Sequence, residues 1–378
     1  MKKKIIIIGS AHPLRGGGIT TFNHRLAQEL QLQGYDVEIY SFSLQYPAIL
    51  FPGKTQFTNE QAPKNIRIHS IISSINPINW IKVGKQIKHL RPDYIIVRFW
   101  LPFMGPCFGT ILRLAKKNKY SKIICLADNM IPHEKRFYDN LATRYFLKPI
   151  DSIVTMSEQV SEDVKKFTST IPIQKLFHPL YDNFGEAIDT KDAKQSLNIE
   201  TSKQVILFFG FIRPYKGVDL LVESIYQINS SHKDFFKNKI VLIAGEFYEN
   251  TIPYFDKIKQ YHLEKIVQFN NAFIPDEDVK KYFSAADVVI QPYRSATQSG
   301  VTPLAYHFNT PMIVTNVGGL PNMVTHKKVG LVCEPNINSI ATCIQDFFTY
   351  KKDEFVNNIK EEKKKYNWKT FVEKLIMI

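Results

Sequence analysis

In Phe208–Leu221, read FFGFIRPYKGVDLL, an apolar run ends at Gly210, and Arg213 and Lys216 follow ahead of a helical pattern that begins at Val218. Two cations this close, beside a helix start, suit a diphosphate: a guanidinium binds oxygens in pairs, and an ammonium acts as a compact point charge. Exposed surface charge is the plainer reading of the same pair. A second stretch, Gln291–Gly319 (QPYRSATQSGVTPLAYHFNTPMIVTNVGG), reads as strand, Ser/Thr/Gly turn, helix and strand. Its turn offers the backbone N–H groups of Ser299, Gly300, Val301 and Thr302 to an anion, and Gln298 lies beside them. The third stretch is Ser10–Phe22 (SAHPLRGGGITTF), where Gly16, Gly17 and Gly18 let the backbone approach a ligand closely before a helix. It has neither the GxGxxG of a dinucleotide fold nor the Gly-Lys-Ser/Thr of a P-loop, so hydride transfer and P-loop ATP hydrolysis lose support. A plain strand-to-helix turn remains open for it.

These residues need a scaffold, and the chain is long enough for two domains, with 378 residues, 44% hydrophobic and 13% aromatic. The formal charge of +14 suits an anionic partner, though a lysine-rich composition accounts for it equally. The four cysteines, Cys107, Cys125, Cys333 and Cys343, are scattered without a CxxC pair, which argues against a zinc site or disulfide framework and for a reducing compartment. The start MKKKIIIIGSAHP has too short an apolar run for a signal peptide and reads as a first β-strand. No apolar run approaches a bilayer span.

Short buried-looking strands alternate with helical stretches: Lys4–Gly9, Val37–Phe42, Ile66–Ile72, Tyr94–Val97, Ile123–Leu126 and Ser152–Met156, with helices such as Ile19–Gln33 and Gly109–Lys117 between several of them. The rhythm fades over Phe184–Thr201 and restarts through Val205–Phe209, Ile240–Ala244, Ile266–Phe269, Val288–Gln291, Met312–Thr315 and Gly330–Cys333. The pattern is α/β: parallel sheets flanked by helices, with a boundary near 185–203. Two doubly wound domains place a ligand cleft at their strand C-terminal ends. The segment Asn79–Arg91 (NWIKVGKQIKHLR) interleaves Trp80, Ile81, Val83 and Ile87 with Lys82, Lys85, Lys88 and Arg91. It reads either as a helix packed on the sheet or as a basic amphipathic helix on an anionic membrane.

Taken in order, Gly210–Leu221, Ile240–Glu246 (IVLIAGE), Val267–Asp287 (VQFNNAFIPDEDVKKYFSAAD) and Gln291–Gly319 resemble the nucleotide-sugar half of a family 4 glycosyltransferase, of the group 1 glycosyl transferases. The glycine loop, Trp100–Pro106 (WLPFMGP) and Asn129–Glu134 (NMIPHE) echo the other half, so the resemblance covers both domains. It implies a GT-B fold, two Rossmann-like doubly wound domains facing a cleft: an acceptor-side domain over 1–185, a nucleotide-sugar domain over 204–362, and a terminal helix, 363–378, returning to the first. It further implies retaining, metal-independent transfer of a hexose from a UDP- or GDP-sugar to a glycan or lipid-linked acceptor, with no cofactor beyond that co-substrate. Arg213 and Lys216 would stabilise the departing diphosphate, and preorganised donors of this kind contribute about 2.7–4 kcal/mol each. Asp128 aligns with the family's sugar-contacting histidine, with His133 the second candidate, and a satisfied loop residue remains open for either; Glu246, after the glycine of a strand end, would reach the nucleotide or cap the next segment. The sequence departs from the family where two glutamates are expected, having Ala296 and Leu304 instead, with Gln298 and Ser299 as polar neighbours. That departure keeps open an inactive sugar-nucleotide-binding partner, or another GT-B enzyme such as an epimerase. No recognisable nucleic-acid module accompanies the basic residues. The expected place is the cytoplasm, with peripheral attachment at the inner membrane face as a further option.

Overall fold

The computed structural model describes residues 2–15, 18–47, 55–59, 61–132, 136–296 and 299–378. The chain folds into two compact units: residues up to Pro179 together with Trp368–Ile378, and Leu180–Asn367.

The first unit is built on seven strands: β1 (Lys4–Ile8), β2 (Asp36–Leu44), β3 (Arg67–Ser73), β4 (Tyr94–Phe99), β5 (Lys122–Ala127), β6 (Ser152–Thr155) and β7 (Ile173–Lys175). Every pairing is parallel, in the order β3-β2-β1-β4-β5-β6-β7. A parallel sheet covered on both faces demands continuous apolar runs, and Ile5–Ile8 of β1 are each fully buried. The apolar face of helix Pro77–Leu90 buries Val83 and Ile87, and its start is capped by Asn76, whose side-chain oxygen accepts from the N–H groups of Ile78 and Asn79. The terminal helix Trp368–Ile376 belongs to this unit, with Trp368 and Phe371 packed on Phe22.

The second unit has six strands: β8 (Gln204–Phe209), β9 (Lys239–Ala244), β10 (Val267–Asn270), β11 (Val288–Gln291), β12 (Met312–Thr315) and β13 (Gly330–Cys333). Its order, β10-β9-β8-β11-β12-β13, is again all parallel. In each unit the order reverses beside its first strand, between β1 and β4 and between β8 and β11, the switch points where such sheets bind ligands. The stretch 185–203 lies within the second unit: Thr190–Ser196 is a helix, capped by the Asp189 carboxylate accepting from Lys191 and Asp192, and Ala193 and Ile199 are buried. The passages between the units fall at 179/180 and 367/368, where the chain crosses from one core to the other.

Candidate functional site

The β8/β11 switch point carries the cations singled out in the sequence. β8 ends at Phe209, and Gly210 turns with φ +104°. Gly245, which follows β9 at φ +148°, presses on it so closely that a Cβ there would lie 2.1 Å from the Gly210 carbonyl oxygen. This glycine–glycine contact lets the chain leave the sheet edge and form the short 3-10 turn Pro214–Lys216 before helix Val218–Ser231. Gly217 joins turn to helix at φ +67°, and a Cβ there would meet the Pro292 carbonyl oxygen at 2.0 Å. The loop after β11 therefore touches the turn backbone to backbone.

The Lys216 ammonium lies 5.4 Å from the centre of the Tyr293 ring and packs over Gly210, as does the Val301 side chain from the opposite loop. Burial, and secondarily the Arg213 charge, bring its pKa down to about 8 from 10.5. An ammonium held in this state gains most from an anion that restores its charge. Arg213 is exposed and stacks 5.0 Å over Tyr248, which in turn packs on Phe211. Among the described residues neither cation has a carboxylate partner.

Helix Val301–His307 begins at the same place. The Thr302 hydroxyl and the Gln291 side-chain amide exchange hydrogen bonds at 3.1 and 3.2 Å, fixing this helix start to the end of β11. Ser299 is buried, and its hydroxyl accepts from the Val301 N–H at 3.1 Å. One of the four expected backbone donors is thus engaged within the turn, while the others at this helix start have no intrahelical partner. Glu246 is buried beside the Gly210–Gly245 contact, and its carbonyl accepts from the Ile212 N–H. Ala296 and Leu304 are both buried. Gln298 lies outside the described residues.

The first unit holds the remaining candidates. Gly18 opens helix Gly18–Leu32; Gly16, Gly17 and His133 lie outside the described residues. Asp128 follows β5 and is gripped by Arg98 of β4, whose Nε and Nη2 donate to its two oxygens at 2.5 and 2.7 Å. Arg98 is buried and stacks 3.9 Å over Phe22. Its charge, after burial itself, keeps the neighbouring His178 neutral, with a pKa down to about 3. Each Asp128 oxygen keeps a further lone pair for a hydroxyl donor.

Arg98 lies outside the stretches singled out in the sequence, and Tyr293 and Arg294 lie within Gln291–Gly319 without a role of their own there. Arg98 interrupts an otherwise apolar strand, a signal for a paired buried charge. Tyr293 and Arg294 directly follow the β11 run, where side chains at strand C-terminal ends reach a switch point. Among the described residues no group of three or more His, Cys, Asp or Glu side chains could hold a metal ion. No helix there is long and apolar enough to cross a membrane.

Comparison with known proteins bears on this arrangement. Residues 189–366 match the family model of the group 1 glycosyl transferases. A putative glycosyltransferase of Bacillus subtilis, YtcC, is 27% identical over 70% of this chain and 66% of its own length. A D-inositol 3-phosphate glycosyltransferase of Corynebacterium aurimucosum is 28% identical over 38% of this chain and 34% of its own. The chain thus spans less than two thirds of the length of these curated relatives. A sucrose-phosphate synthase from Thermosynechococcus elongatus superposes with a TM-score of 0.76 at 16% identity, covering 99% of this chain and 98% of that one. The Anabaena protein HepE, solved with UDP and glucose, gives 0.73 at 13% identity over 99% and 98% of the two chains. Two parallel-sheet Rossmann-like units, strand order and superposition agree: the fold is GT-B, and residues 189–366 are similar to the group 1 glycosyl transferases.

Proposed function

We propose that this protein is a retaining, metal-independent family 4 glycosyltransferase that moves a hexose from a nucleoside diphosphate sugar to a glycan or lipid-linked acceptor. The observation that carries this reading is the β8/β11 switch point, where Lys216 meets the start of helix Val301–His307 over Gly210 and Arg213 stands in the same turn, both without carboxylate partners among the described residues. In the reaction the bond between the sugar anomeric carbon and the diphosphate oxygen breaks, and negative charge builds on that oxygen. Arg213 and Lys216 stabilise the charge, assisted by the backbone donors at Ser299–Thr302. The acceptor hydroxyl attacks from the face the diphosphate leaves and passes its proton to the departing phosphate oxygen. No protein base is required. HepE, a protein of this fold, has been solved in complex with UDP-glucose, which favours a UDP-sugar as the donor here.

Asp128 is the candidate sugar contact, as a carboxylate held in one orientation by Arg98 and offering acceptor lone pairs to hydroxyls. Cell-surface polysaccharide or glycolipid synthesis fits a lipid-linked acceptor, and helix Pro77–Leu90 gives it a route. Ile78 and Ile81 are exposed there with Lys82 and Lys85, a surface suited to peripheral attachment at the cytoplasmic membrane face.

A second reading has one observation in its favour. Ala296 and Leu304 are buried and apolar at the positions aligned with the family's glutamates, which suits a binding partner that keeps the fold without turnover. Incubation with a panel of UDP- and GDP-sugars separates the two readings. Release of free sugar and nucleoside diphosphate, and transfer with retained anomeric configuration onto lipid-linked acceptors, is expected. Binding with neither hydrolysis nor transfer would establish the inactive partner instead.

A further inference from the structure

The turn that carries Arg213 and Lys216 has no side-chain cap of its own. Neither the 3-10 turn Pro214–Lys216 nor helix Val218–Ser231 begins with a capping hydrogen bond from a side chain. It is held instead from the loop after β11. The Arg294 backbone N–H donates to the Tyr215 carbonyl at 2.7 Å, and its Nη1 donates to the Pro214 carbonyl at 3.1 Å. The same guanidinium grips Asp219, in the first turn of the helix, with Nη1 and Nη2 each 2.6 Å from one carboxylate oxygen. The side chain faces a cavity of about 630 Å³ bordered by Tyr215, Glu249, Asn250, Tyr254 and Lys257.

We propose that Arg294 is a positioning residue for the diphosphate-binding turn, fixing the backbone that aims Arg213 and Lys216; this rests on the glycosyltransferase reading above. An isolated half-exposed ion pair contributes little. Here the pair is two-pronged, and the same side chain also bonds the turn backbone, so one residue ties the turn, the helix start and the β11 loop together. Lysine at this position keeps the charge and loses the fork. Asp219 completes the grip and also sits favourably at the positive end of its helix. Arg213 and Tyr293 flank Lys216, while the Arg294 guanidinium bonds the Pro214 carbonyl and Asp219, so the clamp acts on Lys216 through the geometry of the turn.

The test measures UDP and GDP affinity by calorimetry for the wild type, Arg294→Met, Arg294→Lys, Lys216→Ala and the double variant Arg294→Met with Lys216→Ala. In parallel, the pH dependence of Lys216 acylation, read by mass spectrometry without nucleotide, is compared between wild type and Arg294→Met. The clamp predicts affinity weakened about tenfold or more in Arg294→Met, as displacement of a positioned group does, with partial recovery in Arg294→Lys. It also predicts that the double variant loses less than the product of the two single losses, since coupled residues are not additive. The Lys216 acylation midpoint should rise in Arg294→Met as the turn opens to solvent. Wild-type affinity in Arg294→Met, or losses that multiply with an unmoved midpoint, would overturn the proposal. Asp219→Asn supplies the same comparison if Arg294→Met does not fold. If the wild type binds neither nucleotide, the glycosyltransferase reading fails, and the acylation midpoint alone decides the clamp.

Discussion

Lys216 is the residue where burial and function pull against each other. Its ammonium is costly to keep charged beneath the surrounding side chains, which is why its pKa falls to about 8, and the proposed diphosphate would reverse that cost. Two opposite pH trends follow. Between the folded value near 8 and the unfolded value of 10.5, the unfolded chain holds more protons, so this group makes the ligand-free protein more stable as pH rises. Nucleotide affinity should fall over the same alkaline range, because the proton that matches the phosphate charge is lost. Thermal melts and calorimetric titrations across this range check both trends, and Lys216→Ala should abolish the decline in affinity. That variant should also bind about 1.5–3 kcal/mol more weakly at neutral pH, the usual contribution of a hydrogen bond to a charged group. The placement of Arg213 and Lys216 in a turn ahead of a helix was legible in the sequence from their spacing and the helical pattern that follows. Their setting was not: Tyr293 and Arg294 lie some eighty residues downstream and meet the turn only through strand order.

At the scale of elements, the parallel strands were readable because burial on both faces leaves unbroken apolar runs such as Ile5–Ile8. Helix Thr190–Ser196 was not: its seven residues, TKDAKQS, bury little more than Ala193 and the stem of Lys194, so no apolar stripe announces it. The Asp128 assignment shows the same limit from another side. Alignment with the family's motif picks out Asp128 but carries no information about Arg98, thirty residues earlier on a neighbouring strand, which takes both carboxylate oxygens. The β8 corner depends on its glycines in a way that can be tested. Gly217→Ala adds a Cβ at 2.0 Å from the Pro292 carbonyl in a left-handed backbone, so the turn must move away from the β11 loop. A loss of about 1–3 kcal/mol in stability is expected from the backbone conformation alone. Thermal denaturation measures this loss, and nucleotide affinity should drop with it, since Lys216 is the neighbouring residue.

For the whole molecule, the two units share their strand order over six strands; one carries the paired cations, the other the Arg98–Asp128 pair. The first unit also bears the exposed isoleucines and lysines of helix Pro77–Leu90. Sedimentation with vesicles containing anionic lipid checks the proposed attachment. Binding should weaken in the combined Lys82→Gln, Lys85→Gln and Lys88→Gln variant, at about 1 kcal/mol per charge near the surface. Unchanged sedimentation would remove this helix as the contact. The central claim, that the β8/β11 switch point holds the diphosphate of a sugar nucleotide, is tested most directly by calorimetric titration of UDP- and GDP-sugars into the wild type and Arg213→Ala. The account predicts that at least one donor binds the wild type and binds Arg213→Ala at least about tenfold more weakly, as loss of a charge-assisted hydrogen bond requires. No binding at millimolar donor, or equal binding by both proteins, would contradict it.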